Sequence, residues 1–396
     1  MKRLIIIASL AILAVGCQKT EIQNEVQTPI GFSTEVGKQT RAIVSNTYDP
    51  NQPFAVYAYG HQGNAAATTV MNNVEVSYTA ASGEGTEAIP AKWSATGTTK
   101  YYWPNDPTTT LNFYAYSPSD DNANVAAHQK LNGTIVHSET AGLSITNYGH
   151  DNMYVDFMVA TPVVGATYSA TDPNQLVNNE TSGTVPVVFN HQMTQVLFNV
   201  TTDKEYSGVT FIVEEITLKN IHNVGNYSNV NLIPSYFDSN PASFKHGSWS
   251  NTSVLNTGTR GTYTIFPALA ANGGVADDEV AKTVTNTSGL TTTGVTMIPQ
   301  DMVEVEDAVI PGTDTYANQT EAQMFEITYS VEGTGVATET VTKHVPFYAK
   351  GATSVVNWGV NQKITYTVKI GLNEILFAPS VADWTGVTGE TYTFQQ

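Results

Sequence analysis

The sequence has 396 residues, including one cysteine, and a formal net charge of −18 from 17 basic and 35 acidic residues. So acidic a chain repels phosphate backbones, and we expect no nucleic-acid partner. Only 13% of the residues are charged. Thr, Asn, Ser and Gly fill the polar positions, which is typical of a β-protein with Thr on outward strand positions and not of a disordered acidic tail.

The first stretch predicts export and lipidation. A basic pair precedes an apolar run over residues 4–15, which is shorter than the roughly 20 residues that a membrane-spanning helix needs. Residues 1–16 are therefore predicted to be a signal peptide. Leu13-Ala14-Val15-Gly16-Cys17 resembles a bacterial lipobox, in which the cysteine is acylated. We predict lipidation at Cys17 and attachment to the outer membrane through the lipid; an ordinary signal peptide with an incidental cysteine is the alternative.

Residues 17–41 are predicted to form a lipidated pro-segment that contains the first strand. That strand covers residues 30–36, where Ile30, Phe32 and Thr34 share one side. A polar loop follows and contains Arg41. It is the only arginine between the polar tether of residues 18–30 and the strand predicted at residues 54–59. Loops of small polar residues are preferred sites of proteolysis.

Later strands are predicted from short alternating runs that are separated by Gly, Pro, Asn and Ser. No helical periodicity lies between them, so the pattern predicts an all-β protein built as a β-sandwich. Residues 161–184 are rich in Thr, Asn and Gly and form a candidate domain junction. The main runs cover residues 54–59, 74–78, 111–116, 154–160, 185–191, 195–200, 211–219, 262–266, 325–331, 363–370 and 374–377.

Several pieces, in this order behind a lipobox, resemble the Mfa-like branch of the Bacteroidales fimbrillins, the subunits of type V pili. The resemblance implies an all-β chain with two tandem transthyretin-like β-sandwich domains behind a lipoprotein signal peptide, over residues 42–183 and 184–384. Residues 225–290 match least. The pieces are Tyr102-Trp103-Pro104, Leu111–Tyr116, Asp156–Ala160, Phe189-Asn190-His191, Ile298-Pro299-Gln300, Trp358-Gly359, Ile375-Leu376-Phe377 and Asp383-Trp384.

The resemblance also implies a maturation step and an assembly mode. A trypsin-like, Arg-specific protease would cut after Arg41, so that Ala42 becomes the N-terminus and the first strand is removed. Other fimbrial subunits would then bind head-to-tail, each lending a strand from its C-terminal region, and the lipoprotein precursor would become part of a surface fimbria that supports adhesion. The donor candidate is the tail over residues 385–396, with Thr391, Tyr392, Thr393 and Phe394; the alternative is that this tail completes its own subunit's last sheet.

The sequence contains no pattern that indicates catalysis. HExxH spacing, cysteine clusters and a G-x-S-x-G elbow are all missing, so we expect no enzyme, no cofactor and no metal centre. Aspartates such as Asp49 lie in turn contexts, with calcium binding as the minor interpretation. The alternative function is a monomeric surface lipoprotein that binds glycans through aromatic residues, of which the candidates are Trp93, Tyr101, Tyr102 and Trp103.

Overall fold

The computed structural model describes residues 28–36, 48–83, 90–106, 108–119, 131–150, 153–167, 184–229, 246–250, 260–267, 281–305, 321–334, 336–348, 356–372 and 375–383. Every named element in these ranges is a β-strand, which confirms the all-β prediction. Across the same ranges, no helix is long and apolar enough to cross a membrane.

The strands are numbered in chain order. They are β1 (Gly31–Val36), β2 (Phe54–Gln62), β3 (Thr68–Thr79), β4 (Lys92–Ala95), β5 (Thr109–Ser117), β6 (Thr134–Ser138), β7 (Gly142–Gly149), β8 (Met158–Ala160), β9 (Val163–Ala166), β10 (Thr184–His191), β11 (Thr194–Thr202), β12 (Val209–His222), β13 (Val224–Ser228), β14 (Ser248–Ser250), β15 (Arg260–Phe266), β16 (Lys282–Val284), β17 (Leu290–Thr291), β18 (Val295–Met297), β19 (Gln300–Asp301), β20 (Met324–Gly333), β21 (Val336–Pro346), β22 (Asn357–Trp358), β23 (Gln362–Ile370) and β24 (Ile375–Asp383).

The largest sheet closes on itself. Its eight strands run in the order β2-β3-β4-β1-β10-β8-β5-β9, and β2 also pairs with β5. All of these strands except β9 therefore form a ring of hydrogen-bonded neighbours, and β9 shares one edge of β5 with β8. Closure removes the unpaired edges that an open sheet presents. The position between β4 and β10 is held by β1, so β1 completes the ring.

Both faces of β2 and β5, which pair with each other in this sheet, are buried. One face of β2 and β5 packs inside the ring, through Phe54, Val56 and Phe113 among others. The opposite face packs against a four-stranded sheet, ordered β14-β13-β7-β6, through residues such as Tyr57 and Tyr116. Burial on both sides explains why β2 and β5 are nearly continuous apolar runs and do not alternate with polar residues.

The C-terminal part is a sandwich of two further sheets. One has the order β17-β11-β23-β24 with β18 on β11, and the other has the order β15-β12-β20-β21 with β16 on β12. The Phe198 ring on β11 lies 5.0 Å from Phe325 on β20 and 5.2 Å from Tyr366 on β23. The contact with Phe325 crosses between the layers, whereas Tyr366 is a neighbour in the same sheet, and one apolar core lies between the two sheets. Within it, β11 and β23 form a parallel ladder along eight residues.

The sheets do not divide at the predicted boundary between residues 183 and 184. β10 begins at Thr184 but pairs with β1 and β8 in the eight-stranded sheet. β13 and β14 also pair into the sheet that contains β7, although both lie beyond residue 184. A division there would separate β10 from its hydrogen-bonded neighbours, because the strand after the Thr-, Asn- and Gly-rich segment turns back to the ring.

His137 on β6 connects the four-stranded sheet to the ring. Its imidazole lies against three tyrosine rings, with centroid distances of 4.7 Å to Tyr57, 5.6 Å to Tyr59 and 4.6 Å to Tyr114. The Tyr59 hydroxyl is 3.0 Å from His137 Nδ1. Burial lowers the pKa of the His137 imidazole to about 4, because the charged form loses its water there.

We expect acid to weaken the fold through this histidine. An unfolded histidine titrates near pH 6.5, so between about pH 6.5 and 4 the unfolded state binds more protons. The contribution of His137 to the free energy of unfolding is therefore highest above pH 6.5 and decreases as the pH falls towards 4. His137→Gln should remove part of this decrease; His222, whose pKa is also lowered to about 4 by burial and then by Arg260, supplies another part.

Urea unfolding at about pH 7, 5.5 and 4.5 measures the effect, since this range covers the interval between the folded and unfolded pKa values. Val136→Ala changes the exposed neighbour of His137 and should keep the wild-type pH dependence. An unchanged slope in His137→Gln would contradict the assignment.

Candidate functional site

The strand predicted at residues 30–36 is present as β1, and its surroundings form the candidate site. β1 runs parallel to β10 along six residues, from Gly31 opposite Thr184 to Val36 opposite Phe189. On its other side it pairs with β4 in antiparallel fashion at one position, Phe32 opposite Trp93. The ladder with β10 is therefore its main backbone contact.

The edge of β10 that faces β1 can be assigned from a single hydrogen bond. The Thr161 amide donates to the Val188 carbonyl at 2.9 Å, which directs the polar backbone groups of Val188 towards the β8 side. N–H and C=O groups alternate sides along a strand, so Val185, Val187 and Phe189 direct theirs towards β1. Pro186 has the same orientation as Val188, and its missing N–H therefore leaves the edge facing β1 intact.

A short extension before β1 is held from the opposite side. The Ile30 amide donates to the Tyr101 carbonyl at 2.9 Å, and the Trp103 amide donates to the Thr28 carbonyl at 3.0 Å. Between them, Pro29 forms an isolated bridge with Tyr102. The chain thus enters β1 already fixed against the segment that precedes β5.

The inward side chains of β1, and of Ile30 directly before it, fill the ring. Ile30 and Phe32 are each 4% exposed. The Phe32 ring makes edge-to-face contacts with Phe54 at 5.9 Å and Phe113 at 6.2 Å, and Val36 packs against the same cluster. Burying a side chain of this size is worth about 1.5–3 kcal/mol, so removing β1 would uncover a strongly apolar groove.

The outward face of β1 is different, because Ser33 and Glu35 are exposed. β2 and β5, by contrast, are covered on both faces. β1 is therefore a strand whose removal would disturb the inside of the ring and leave the second layer in place.

Tyr48 is the first described residue after β1, and it returns the chain to the same end of the groove. Its ring stacks on Phe189 with a centroid distance of 4.7 Å and an interplanar angle of 23°, and it also contacts Phe54 and Trp93. Its hydroxyl lies 2.6 Å from the Ser117 hydroxyl. Burial raises the pKa of this phenol well above its usual range. The chain on both sides of residues 37–47 is thus held at Phe189, because Val36 pairs with Phe189 in the ladder and the Tyr48 ring stacks on the Phe189 ring.

Most sequence-predicted site residues lie outside the described ranges. These are Cys17, Arg41 and Ala42 before Tyr48, and the donor candidates Thr391, Tyr392, Thr393 and Phe394 after β24. What the structure adds is the pair of anchors around the predicted cleavage position and the edge of β10. Sequence reasoning missed Tyr48, because a single tyrosine in a polar stretch carries no pattern.

The other candidates have structural surroundings. Trp93 and Trp103 are buried, at 7% and 2% exposure, whereas Tyr102 is 40% exposed, so the four aromatics do not form one open platform for a sugar. Asp49 accepts a hydrogen bond from the Asn51 amide at 2.8 Å, which is a turn contact. His191 Nδ1 lies 2.6 Å from Asp156 Oδ2 at the end of β10. No cluster of three or more metal-binding side chains occurs in the described ranges.

Comparison with protein families assigns the chain. The profile described as fimbrillin-like matches residues 40–384. The chain belongs to the fimbrillin-like family. Membership of this family supports a role as a fimbrial subunit, and hence a place in an appendage of the cell surface. None of the curated proteins gives a significant match.

Solved structures with related descriptions include three fimbrial proteins. A fimbrial protein from Bacteroides vulgatus is 16% identical, covers 90% of this chain and 99% of its own, and has a TM-score of 0.46. The tip fimbrial protein Mfa3 from Porphyromonas gingivalis is 13% identical, covers 90% of this chain and 100% of its own, and has a TM-score of 0.33. A fimbrial assembly protein from Parabacteroides distasonis is 10% identical, covers 93% of this chain and 98% of its own, and has a TM-score of 0.34. Because these TM-scores lie below 0.5, the assignment rests on the family match.

We expect Phe32→Ala to destabilise the uncut protein by about 3–5 kcal/mol, because the change leaves a cavity among Phe54 and Phe113. Ser33→Ala, on the exposed face of the same strand, should stay within about 0.5 kcal/mol of the wild type. Urea unfolding of the intact chain measures both values. Equal midpoints for the two variants would show that β1 contributes little to the ring.

Proposed function

We propose that this fimbrillin-like protein is a structural fimbrial subunit that is exported as a lipoprotein through Cys17, cut after Arg41 and polymerised by strand exchange. The observation that carries the proposal is the position of β1. β1 closes the ring through one long ladder to β10, and the predicted cut lies between it and Tyr48. The proposed role is structural and involves no catalysis.

The proposed cut is compatible with a folded subunit. It falls within residues 37–47, which lie between β1 and Tyr48, so it crosses none of the strands in the described ranges. Tyr48 contacts Phe189, Phe54 and Trp93, none of which lies in β1, so the cut would leave these partners in place. The family match begins at residue 40, which agrees with a mature chain that starts near Ala42.

Release of β1 would create the binding site. The N–H and C=O groups of Val185, Val187 and Phe189 would lose their partners, and the pockets of Ile30 and Phe32 would be empty. An unpaired edge beside an apolar groove is a template for another strand, which supplies main-chain hydrogen bonds and alternate side chains. The uncut pro-segment blocks this template by occupying it.

The tail of a second copy is the proposed occupant. Residues 385–396 follow β24 and lie beyond the family match, which ends at residue 384. In an extended strand Tyr392 and Phe394 share one face, as do Phe32 in β1 and Ile30 directly before it. Because groove and tail lie on different parts of the subunit, the contact is head-to-tail and propagates into an open fibre.

Arg41→Lys is the sharpest test of the cut. An Arg-specific protease should leave this variant and Arg41→Ala uncut, whereas trypsin should still cut Arg41→Lys because it accepts lysine. We expect wild-type protein to acquire Ala42 as its N-terminus and to form ladders on unboiled SDS gels, together with fibres in electron micrographs. Lys38 is the other trypsin site within residues 37–47, so both variants also carry Lys38→Gln, and trypsin should then restore ladders to Arg41→Lys alone. Wild-type protein that is trimmed at Ala42 and stays monomeric at high concentration would overturn the proposal.

Phe394→Ala tests the tail separately. Loss of an aromatic side chain from the groove should weaken subunit association by about tenfold to a hundredfold, in line with the value of burying it. Thr391→Ala, on the other face of the tail, is the matched control and should polymerise normally. N-terminal sequencing should find Ala42 in both variants. If Phe394→Ala forms ladders at the wild-type protein concentration, the tail is not the donor.

A further inference from the structure

The direction of β1 sets it apart from its neighbours. Among the described residues, the ladder between β1 and β10 is the only parallel one in the eight-stranded sheet; every other pairing there is antiparallel. Parallel ladders are slightly less stable per residue, because their hydrogen bonds are slanted. The pro-segment strand therefore occupies the edge of β10 in the less favourable of two directions.

A strand that ran the opposite way could use the same edge. Val185, Val187 and Phe189 face the groove, and in an antiparallel ladder each would exchange two hydrogen bonds with the residue directly opposite. The reversal would turn the antiparallel contact with β4 into a parallel one, but that contact involves only Phe32 and Trp93. Six residue positions against β10 outweigh one against β4, so the balance favours reversal.

The parallel ladder between β11 and β23 does not argue against this reasoning. Both strands belong to one chain, so their direction is set by the connections between them. A strand from a second copy has no such connection to β10. Its direction is decided by the ladder and by the pockets.

We propose that the donated tail runs antiparallel to β10, opposite in direction to the β1 strand that it replaces, with Phe394 in the Phe32 pocket. This inference rests on the proposed strand exchange. The pocket lies between the Phe54 and Phe113 rings, which favour an aromatic partner in edge-to-face geometry. Phe394 then lies opposite Val185, Tyr392 opposite Val187, and Glu390 opposite Phe189 at the half-exposed position of Val36.

The reversal favours replacement of β1 by the tail over the opposite exchange. The strand that leaves is held in parallel, and the strand that enters gains the more stable antiparallel ladder in the same apolar groove. Refilling the groove with a free copy of the pro-segment would lose that gain. Assembly after the cut should therefore be favoured even where released pro-segment is still present.

Cysteine pairs distinguish the two directions. The backbone N–H and C=O groups of residues 184, 186 and 188 point away from the groove edge. In an antiparallel ladder these residues therefore occupy non-hydrogen-bonded positions, where the Cα atoms of opposite residues lie about 4.5 Å apart and within disulfide range. The proposed register places Thr391 opposite Val188. With Phe394 in the same pocket, a parallel tail would instead place Thr393 opposite Thr184 and Thr391 about 20 Å from Val188.

The experiment uses two double variants of the full chain, Thr391→Cys with Val188→Cys and Thr393→Cys with Thr184→Cys. The only native cysteine is Cys17, which is removed with the pro-segment, so any disulfide in mature protein joins the introduced residues. Each variant is matured, oxidised, boiled and run on a non-reducing SDS gel. Uncut precursor, in which β1 fills the groove, and each single-cysteine variant are the controls.

We expect a covalent ladder from Thr391→Cys with Val188→Cys that collapses on reduction, and single bands from the other pair. A ladder only from Thr393→Cys with Thr184→Cys would overturn the direction and leave strand exchange intact. Neither pair cross-linking, while wild-type protein forms unboiled ladders, would overturn the proposed register and direction. If wild-type protein itself forms no ladder after the cut, the proposed function fails, and this inference fails with it.

Discussion

Closure of the first sheet depends on the backbone ladder between β1 and β10. Without it, β4 and β10 would each present an unpaired edge, and the apolar interior that contains Phe32 would open between them. The rest of the sheet is joined by local hairpins and by antiparallel pairings that do not involve β1. A single short strand, with one long ladder and one-sided burial, therefore decides whether the ring is closed.

The layered arrangement gives β2 and β5 contacts that do not involve β1. β2 and β5 have one face inside the ring and one face against the four-stranded sheet, so they are fixed from both sides. β1 contributes only inward side chains, because Ser33 and Glu35 are exposed. Tyr48 adds a second anchor at the Phe189 end of the groove, through rings that lie outside β1.

The strand predicted at residues 30–36 and the main predicted runs fall on twelve of the 24 strands in the described ranges. The alternation of Ile30, Phe32 and Thr34 indicated β1, and the runs at 111–116 and 363–370 indicated β5 and β23. Pairing could not be predicted in the same way, because the partner of β10 lies about 150 residues away and no local signal records it. For the same reason the sequence could not show that β10, which follows the predicted boundary at residue 184, pairs with β1 and β8. β14 was missed because Ser248–Ser250 has too few residues for an alternation. The two proposed modification sites, Cys17 and Arg41, were predicted from the lipobox and from the resemblance to the fimbrillins, and nothing in the described residues tests them.

The geometry of the β10 edge has a mechanical consequence for a fibre built by strand exchange. Hydrogen bonds in a strand ladder run across the strands, so tension along the fibre would load the bonds at Val185, Val187 and Phe189 together, in shear, and not one after another. Pro186, which lacks a donor, faces away from this loaded edge. Each joint of such a fibre would then resist pulling with its whole ladder at once.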